Sequence, residues 1–186
     1  VKLNGRELTE LSSRSILDKM TMIGHDSWIV KGAVRENLLL GKPSATEEEM
    51  KEALKKVNLL SVIEAQGGLA MPLLSNGTNI SGGQKQRLSL ARALLHDTPV
   101  YIFDEATSNI DAESEEMIME VIHELAKSRT ILLISHRLAN VVGSDCIFML
   151  ENGRVAEAGK HEELLKKGGS YSRLFREQSE LERYSE

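Results

Sequence analysis

Two short stretches carry residue types suited to phosphate and metal chemistry. Ser81-Gly82-Gly83-Gln84 opens an apolar, Arg-dotted run over residues 88–95. A helix starting there leaves backbone N–H groups bare in its first turn, small residues admit an anion close to them, and the helix dipole favours negative charge. Further on, the run Val100-Tyr101-Ile102-Phe103 ends abruptly in Asp104-Glu105. One carboxylate at the end of a buried strand can hold a divalent cation that bridges phosphate oxygens. The next can position or deprotonate an attacking water. His136, just past the apolar run 130–134, could contact a terminal phosphate or that water. Each feature alone has a plainer reading, as a capped helix, a loop acid or a structural strand-end His. Their order favours chemistry. The other four histidines, His25, His96, His123 and His161, have no metal-ligand spacing, so a zinc site is not expected.

The elements that must position these residues follow from periodicity and caps. Ser81 with Gln84 fits a capping box, and Leu88, Ala91, Leu94 and Leu95 fall on one helical face. Residues 100–103 and 130–134 read as strands apolar on both faces, with a helix from Asp111 or Ala112 to Lys127 between them, its Ile118, Val121, Ile122 and Leu125 inward. Such strands argue for a parallel sheet covered by helices, where ligands sit outside the carboxyl ends of the strands. Residues 20–23 read as a further strand. Asn4-Gly5 and Asn152-Gly153 are hairpin-turn signals, because both residues tolerate positive φ. Residues 12–20 and 34–40 are short helix candidates. Thr46 with Glu49 caps a helix over 46–57, which is expected to continue through 58–65. Gln66-Gly67-Gly68 and Pro72 interrupt the pattern, 75–79 is a loop, and 160–186 is a charged helical tail.

Composition bounds the alternatives. With 186 residues, 41% hydrophobic and 27% charged, the chain can bury a core in one domain or slightly more. A net charge of −5 argues against nucleic acid as a partner, since tracking phosphates needs a basic surface. The single Cys146 fits a reducing compartment. No apolar stretch approaches the ~18–20 residues needed to cross a bilayer. The first residues have neither a signal-peptide core nor an initiator Met and look like the inside of a strand, so an upstream segment is expected.

In these stretches the chain resembles the nucleotide-binding domain of an ATP-binding cassette (ABC) transporter, most closely the export type. Ile80-Ser81-Gly82-Gly83-Gln84 matches the L-S-G-G-Q signature, and Lys85-Gln86-Arg87 continues it as exporters do. Val100 to Asp104 matches the Walker B strand and Glu105 the catalytic glutamate. Ser108-Asn109-Ile110-Asp111 matches the D-loop and His136 the switch histidine. Arg35-Glu36-Asn37 and Gly159-Lys160-His161-Glu162-Glu163-Leu164 match exporter stretches as well. The similarity runs from Val1 to about Phe175. It implies a P-loop NTPase-like α/β fold with an inserted helical subdomain. Residues 1–28 would be the end of the N-terminal β part and the Q-loop region, 29–95 the helical subdomain, and 96–186 the remaining core. It also implies ATP and Mg²⁺, the latter on Asp104, with Glu105 and His136 catalytic. Ser81, Gly82, Gly83 and Gln84 would cover a nucleotide held by a second nucleotide-binding domain, as homo- or heterodimer, and Ser108 and Asp111 would link the two sites. A transmembrane domain, fused or separate, would be the other partner, at the cytoplasmic face of a cell membrane, bacterial by resemblance.

Three departures qualify the resemblance. No Gly-x-x-x-x-Gly-Lys-Ser/Thr occurs in the chain, and neither does the aromatic that stacks on adenine in relatives. The chain is therefore expected to be the C-terminal part of such a domain and inactive by itself. His25 stands where the family has a Gln that touches Mg²⁺ and water, which implies weaker coupling or slower turnover. Ser75-Asn76-Gly77 lacks the exporter Glu before the Gly, so the contact with the transmembrane partner would differ in detail. A soluble ABC ATPase of the repair or translation type, and a non-hydrolysing regulatory module, remain as alternatives. The transported substrate is not readable.

Overall fold

The computed structural model describes residues 1–3 and 5–183, apart from the side chain of Glu182. The chain divides into two compact units, Val1–Ile134 and Ser135–Glu186.

The first unit opens with a hairpin, β1 (Lys2–Leu3) against β2 (Arg6–Glu7), with Gly5 at φ +81°. Asn4, expected to share the turn, lies outside the described residues. Helix α1 (Ser13–Leu17) is capped by Ser12, and strand β3 (Met20–Gly24) follows. Then come β4 (Gly32–Ala33), α2 (Val34–Leu39), α3 (Glu47–Lys56) and α4 (Leu60–Glu64). Strand β5 (Pro72–Leu73) pairs back on β4. Helix α5 (Gly82–His96), strand β6 (Val100–Asp104), helix α6 (Ala112–Ala126) and strand β7 (Thr130–Ile134) complete the unit.

Strands β3, β6 and β7 form a parallel sheet with β6 central, as the apolar runs predict. Tyr101 and Phe103 of β6 are fully buried, their rings stacked with centroids 6.2 Å apart. They belong to one core with Leu88, Leu90 and Ala91 of α5, Ile118 and Ile122 of α6, and Val34, Leu38 and Leu54 of α2 and α3. Burying each of the Val, Leu, Ile and Phe side chains stabilises the fold by about 1.5–3 kcal/mol. The α3 cap is the expected box: Thr46 Oγ1 accepts from Glu49 N–H (3.2 Å), and Glu49 Oε2 accepts from Thr46 N–H (2.9 Å).

Three expectations need correction. The helix over 46–57 does not continue into 58–65: Asn58 takes φ +51°, α3 stops, and α4 is a separate single turn and a half. Among the described residues, the sheet is covered on one face only. Tyr101 and Phe103 point into the core, whereas Met22, Leu132 and Ile134 on the other face are 63%, 50% and 45% exposed. Helix α5 is also buried over more of its circumference than the predicted stripe, with Leu90 and Ala93 enclosed too.

The second unit contains a 3-10 turn over Leu138–Val141, then β8 (Ile147–Glu151) and β9 (Arg154–Gly159) in an antiparallel sheet of their own. Among the described residues, β8 and β9 pair only with each other. Asn152 (φ +50°) and Gly153 (φ +74°) make the predicted turn. The tail is two helices, α7 (His161–Lys167) and α8 (Ser170–Arg183), separated by Gly168 at φ +68°. Tyr171 is buried between them, its hydroxyl 2.8 Å from His161 Nδ1. Among the described residues, no helix is long and apolar enough to cross a membrane.

Candidate functional site

The parallel register brings Gly24, Asp104 and Ile134 level at the carboxyl ends of the three strands. The Asp104-Glu105 step and the His25 loop thus leave the sheet at the same edge, where open α/β sheets bind ligands. Glu105 carries the least ordinary backbone there, at φ +51°. A left-handed Glu costs about 1–2 kcal/mol, and such strain persists only where the surroundings over-determine it. Here its N–H donates to Ile134 O (3.0 Å), and its carbonyl accepts from Ser108 N–H (3.0 Å) and Ser108 Oγ–H (2.8 Å). Ser108, singled out in the sequence, therefore fixes the turn that aims Glu105.

The second group of candidates sits at the start of α5. Ser81 Oγ accepts from Gln84 N–H (3.2 Å) and Gln84 Oε1 accepts from Ser81 N–H (3.0 Å), the reciprocal box read from the spacing. The Gln84 amide is thus engaged by the cap, while the Ser81 hydroxyl keeps its proton as a donor. Ser81 and Gly82 are exposed and Gly83 is buried. The glycines divide their roles accordingly. Around Gly82 there is room, the nearest atom to an added Cβ being Asn109 O at 3.9 Å. A Cβ on Gly83 would overlap Ser114 Oγ and lie 2.7 Å from Ser114 Cβ and 3.0 Å from Asp111 Oδ2. The start of α5 is packed on the start of α6, where Asp111 Oδ1 accepts from Ser114 N–H (2.8 Å). That bond holds the Asp111 carboxyl below its usual range. The residues of the two predicted motifs, 81–84 and 108–111, are thereby brought together.

His25 follows Gly24 directly, and its Nε2 lies 3.2 Å from Asp26 Oδ2 at the surface. The loop around it is held from α5 by residues to which the motif reading gave no role. Gln86, 3% exposed, donates Nε2–H to Gly24 O (2.9 Å) and accepts from Ser27 Oγ–H. Arg92 Nη2 donates to Trp28 O (2.5 Å) and to Ser89 Oγ (2.8 Å); burial lowers the pKa of its guanidinium. The sequence does carry a signal for Gln86. It falls at helical spacing with Leu90 and Ala93, so it is a polar residue on a buried stripe.

His136 lies two residues past Ile134, in the second unit. There Gln178 of α8 braces its segment, Nε2–H donating to His136 O (2.7 Å) and Oε1 accepting from Leu138 N–H (2.9 Å). Gln178 was another residue hidden in what reads as a charged tail.

Among the described residues there is no group of three His, Cys, Asp or Glu side chains that could hold a metal ion. Asp104 fits the other mode of Mg²⁺ binding, in which one or two carboxylates act with water and substrate phosphates. The first-turn N–H groups of Gly82 and Gly83 and the Ser81 hydroxyl are donors at the start of α5.

A parallel sheet with paired acids at its carboxyl edge and a small-residue helix start defines an α/β domain of the nucleotide-handling class. The family model described as ABC transporter matches residues 1–108. The chain belongs to the ABC transporter family. It is 47% identical over its whole length to an ABC transporter ATP-binding protein of Haemophilus influenzae, itself uncharacterised, and spans 33% of that protein. Over 176 residues, 94% of the chain, it is 38% identical to a Staphylococcus aureus protein provisionally named a multidrug export ATP-binding/permease protein, of which it spans 30%. A bacterial Atm1-family ABC exporter solved with ATP bound superposes with a TM-score of 0.87 at 30% identity, over 94% of this chain and 31% of that one. The chain thus spans about a third of the length of these relatives. The P-loop NTPase-like α/β fold and the exporter likeness expected from the motifs both stand.

Proposed function

We propose that this chain supplies the ATP-binding and ATP-hydrolysing module of an export-type ABC transporter at the cytoplasmic face of a membrane. The observation that carries the reading is Glu105, held in a left-handed turn by Ile134 and Ser108 directly after Asp104 at the end of the central strand. Asp104 would serve Mg²⁺, which neutralises charge on the β- and γ-phosphates when bound. Glu105 would polarise the attacking water, and His136 would sense the terminal phosphate. Ser81, Gly82 and Gly83 would donate to the γ-phosphate of a nucleotide bound by a second nucleotide-binding domain, with Gln84 holding their cap. Ser108 and Asp111 would tie one site to the other. Residues 29–95 would form a helical subdomain beside the core of 1–28 and 96–186, and closing and opening of the two-domain sandwich would drive the transmembrane partner.

The 186 residues contain no Gly-x-x-x-x-Gly-Lys-Ser/Thr, so the chain alone would bind ATP poorly and release little phosphate. Binding of a fluorescent ATP analogue and phosphate release measure both. Robust Mg-ATPase activity of the chain alone would refute the claim of dependence. Joined behind an exporter P-loop segment, the chain should hydrolyse ATP. Glu105→Gln should then slow phosphate release about 10²–10⁴-fold with nucleotide binding retained. Unchanged turnover in that variant would remove Glu105 from the chemistry.

A further inference from the structure

We propose that Gln86 is a positioning residue: its buried amide clamps the His25 loop to α5, so that the anion-facing start of this helix and His25 move as one body. The inference rests on the catalytic reading above for its consequence, but on geometry for the clamp.

Gln86 lies one turn inside α5 from Ser81-Gly82-Gly83, and both ends of its amide are used on the loop. The chemistry fixes which end goes where. Gly24 O can only accept, so it faces Nε2; Ser27 Oγ can donate, so it faces Oε1. The two anchor points bracket His25 and Asp26, whose side chains are exposed. Two turns further along α5, Arg92 holds the next peptide oxygen, that of Trp28. Beyond it, Asn37 of α2 accepts from Val30 N–H (3.0 Å) and donates to Val30 O (2.9 Å). The loop is thus fastened by side chains at Gly24, Ser27, Trp28 and Val30, with His25 carried between the first two.

A buried primary amide is an expensive choice for a helix stripe that otherwise holds Leu90 and Ala93. Taking it out of water costs several kcal/mol unless its hydrogen bonds are made. An apolar side chain would satisfy the core but leave the Gly24 carbonyl, at the reaction edge opposite Asp104, without this donor. The amide therefore serves the loop, not the core. At its other end, α5 is packed through Gly83 onto the cap of α6. A shift of α5 of even 1 Å would be carried to His25 through an amide bonded at both ends, and misplacement on that scale can cost about 10²-fold in rate.

Trp28 is the only tryptophan, so its fluorescence reports on this loop alone. In the full chain, Gln86→Met should raise acrylamide quenching of Trp28 with far-UV circular dichroism unchanged. Ser27→Ala, which removes only the hydroxyl end of the clamp, should do the same to a smaller extent and covers the case in which Gln86→Met fails to fold. Unchanged quenching in the folded variants would overturn the clamp. The catalytic consequence is read in the chain joined to a P-loop segment, by crossing Gln86→Met with His25→Ala. With His25 present, Gln86→Met should lower kcat about ten- to a hundredfold at a KM changed less than about threefold. In the His25→Ala background the same substitution should change kcat less than about twofold. Equal losses in both backgrounds would mean a merely structural role and overturn the coupling. If the P-loop-bearing parent hydrolyses no ATP, the catalytic reading fails, and the quenching result decides the clamp by itself.

Discussion

Gly83→Ala tests one close approach and sets two effects against each other. In an ordinary helix the substitution helps, by up to about 1 kcal/mol in the interior and less in the first turn. Gly83 is the second residue of α5, and the new carbon would lie 2.7 Å from Ser114 Cβ and 3.0 Å from Asp111 Oδ2 besides overlapping Ser114 Oγ. The Ser114 hydroxyl can rotate away. Its Cβ is fixed to the first turn of α6 and cannot yield unless that helix start shifts. Overpacking of this kind costs about 1–3 kcal/mol, so it outweighs the gain in propensity. A net loss of about 1–2 kcal/mol is expected. Equilibrium urea unfolding should show a lower midpoint with an unchanged slope.

The compensating change makes the test specific. Ser114→Gly removes both clashing atoms while leaving its backbone N–H to Asp111 Oδ1 at 2.8 Å. By itself it should cost about 0.5 kcal/mol in helix propensity. Combined with Gly83→Ala it should restore most of the stability, a favourable coupling of about 1 kcal/mol or more. Additive losses, or a Gly83→Ala midpoint above that of the parent, would refute the reasoning.

Two further outcomes follow from backbone and charge. Glu105→Gly should raise stability by about 1 kcal/mol, because glycine takes φ +51° without strain, while phosphate release by the P-loop-bearing protein is lost; a lower urea midpoint would contradict the strain. The Asp111 carboxyl is depressed chiefly by the Ser114 backbone N–H, so its contribution is full above the ordinary carboxylate pKa of about 3.9 and is lost as pH falls through the lower folded value. Urea midpoints of the parent and Asp111→Asn should therefore converge as pH falls below about 4, and a gap that stays constant there would count against the assignment.

What was legible in the chain was whatever local physics encodes. The boxes at Thr46/Glu49 and Ser81/Gln84 are reciprocal bonds within one turn, and both formed. The run Val100 to Phe103 became the central strand, with Asp104 at its end, because a continuous apolar stretch has few other places to go. Asn152-Gly153 turned as its tolerance of positive φ allows. The misreadings came where one residue's backbone state decides the matter. Asn58 in the left-handed region stops α3 although the flanking residues favour helix, and Gly168 divides the tail in the same way.

The contacts of α5 are of a different kind, since each joins it to chain far away in sequence. Gly83 meets Asp111 and Ser114, Gln86 meets Gly24 and Ser27, and Arg92 meets Trp28. No local pattern writes these down; only a polar residue on a buried stripe hints at one of them. The motif residues by themselves describe atoms that could touch phosphate. Their ability to act together depends on the residues between the motifs. In this chain a single helix bears a start capped by Ser81 and Gln84, a glycine fitted to the α6 cap and an amide fitted to the His25 loop. Because one rigid helix makes all three contacts, a displacement at any of them must reach the other two.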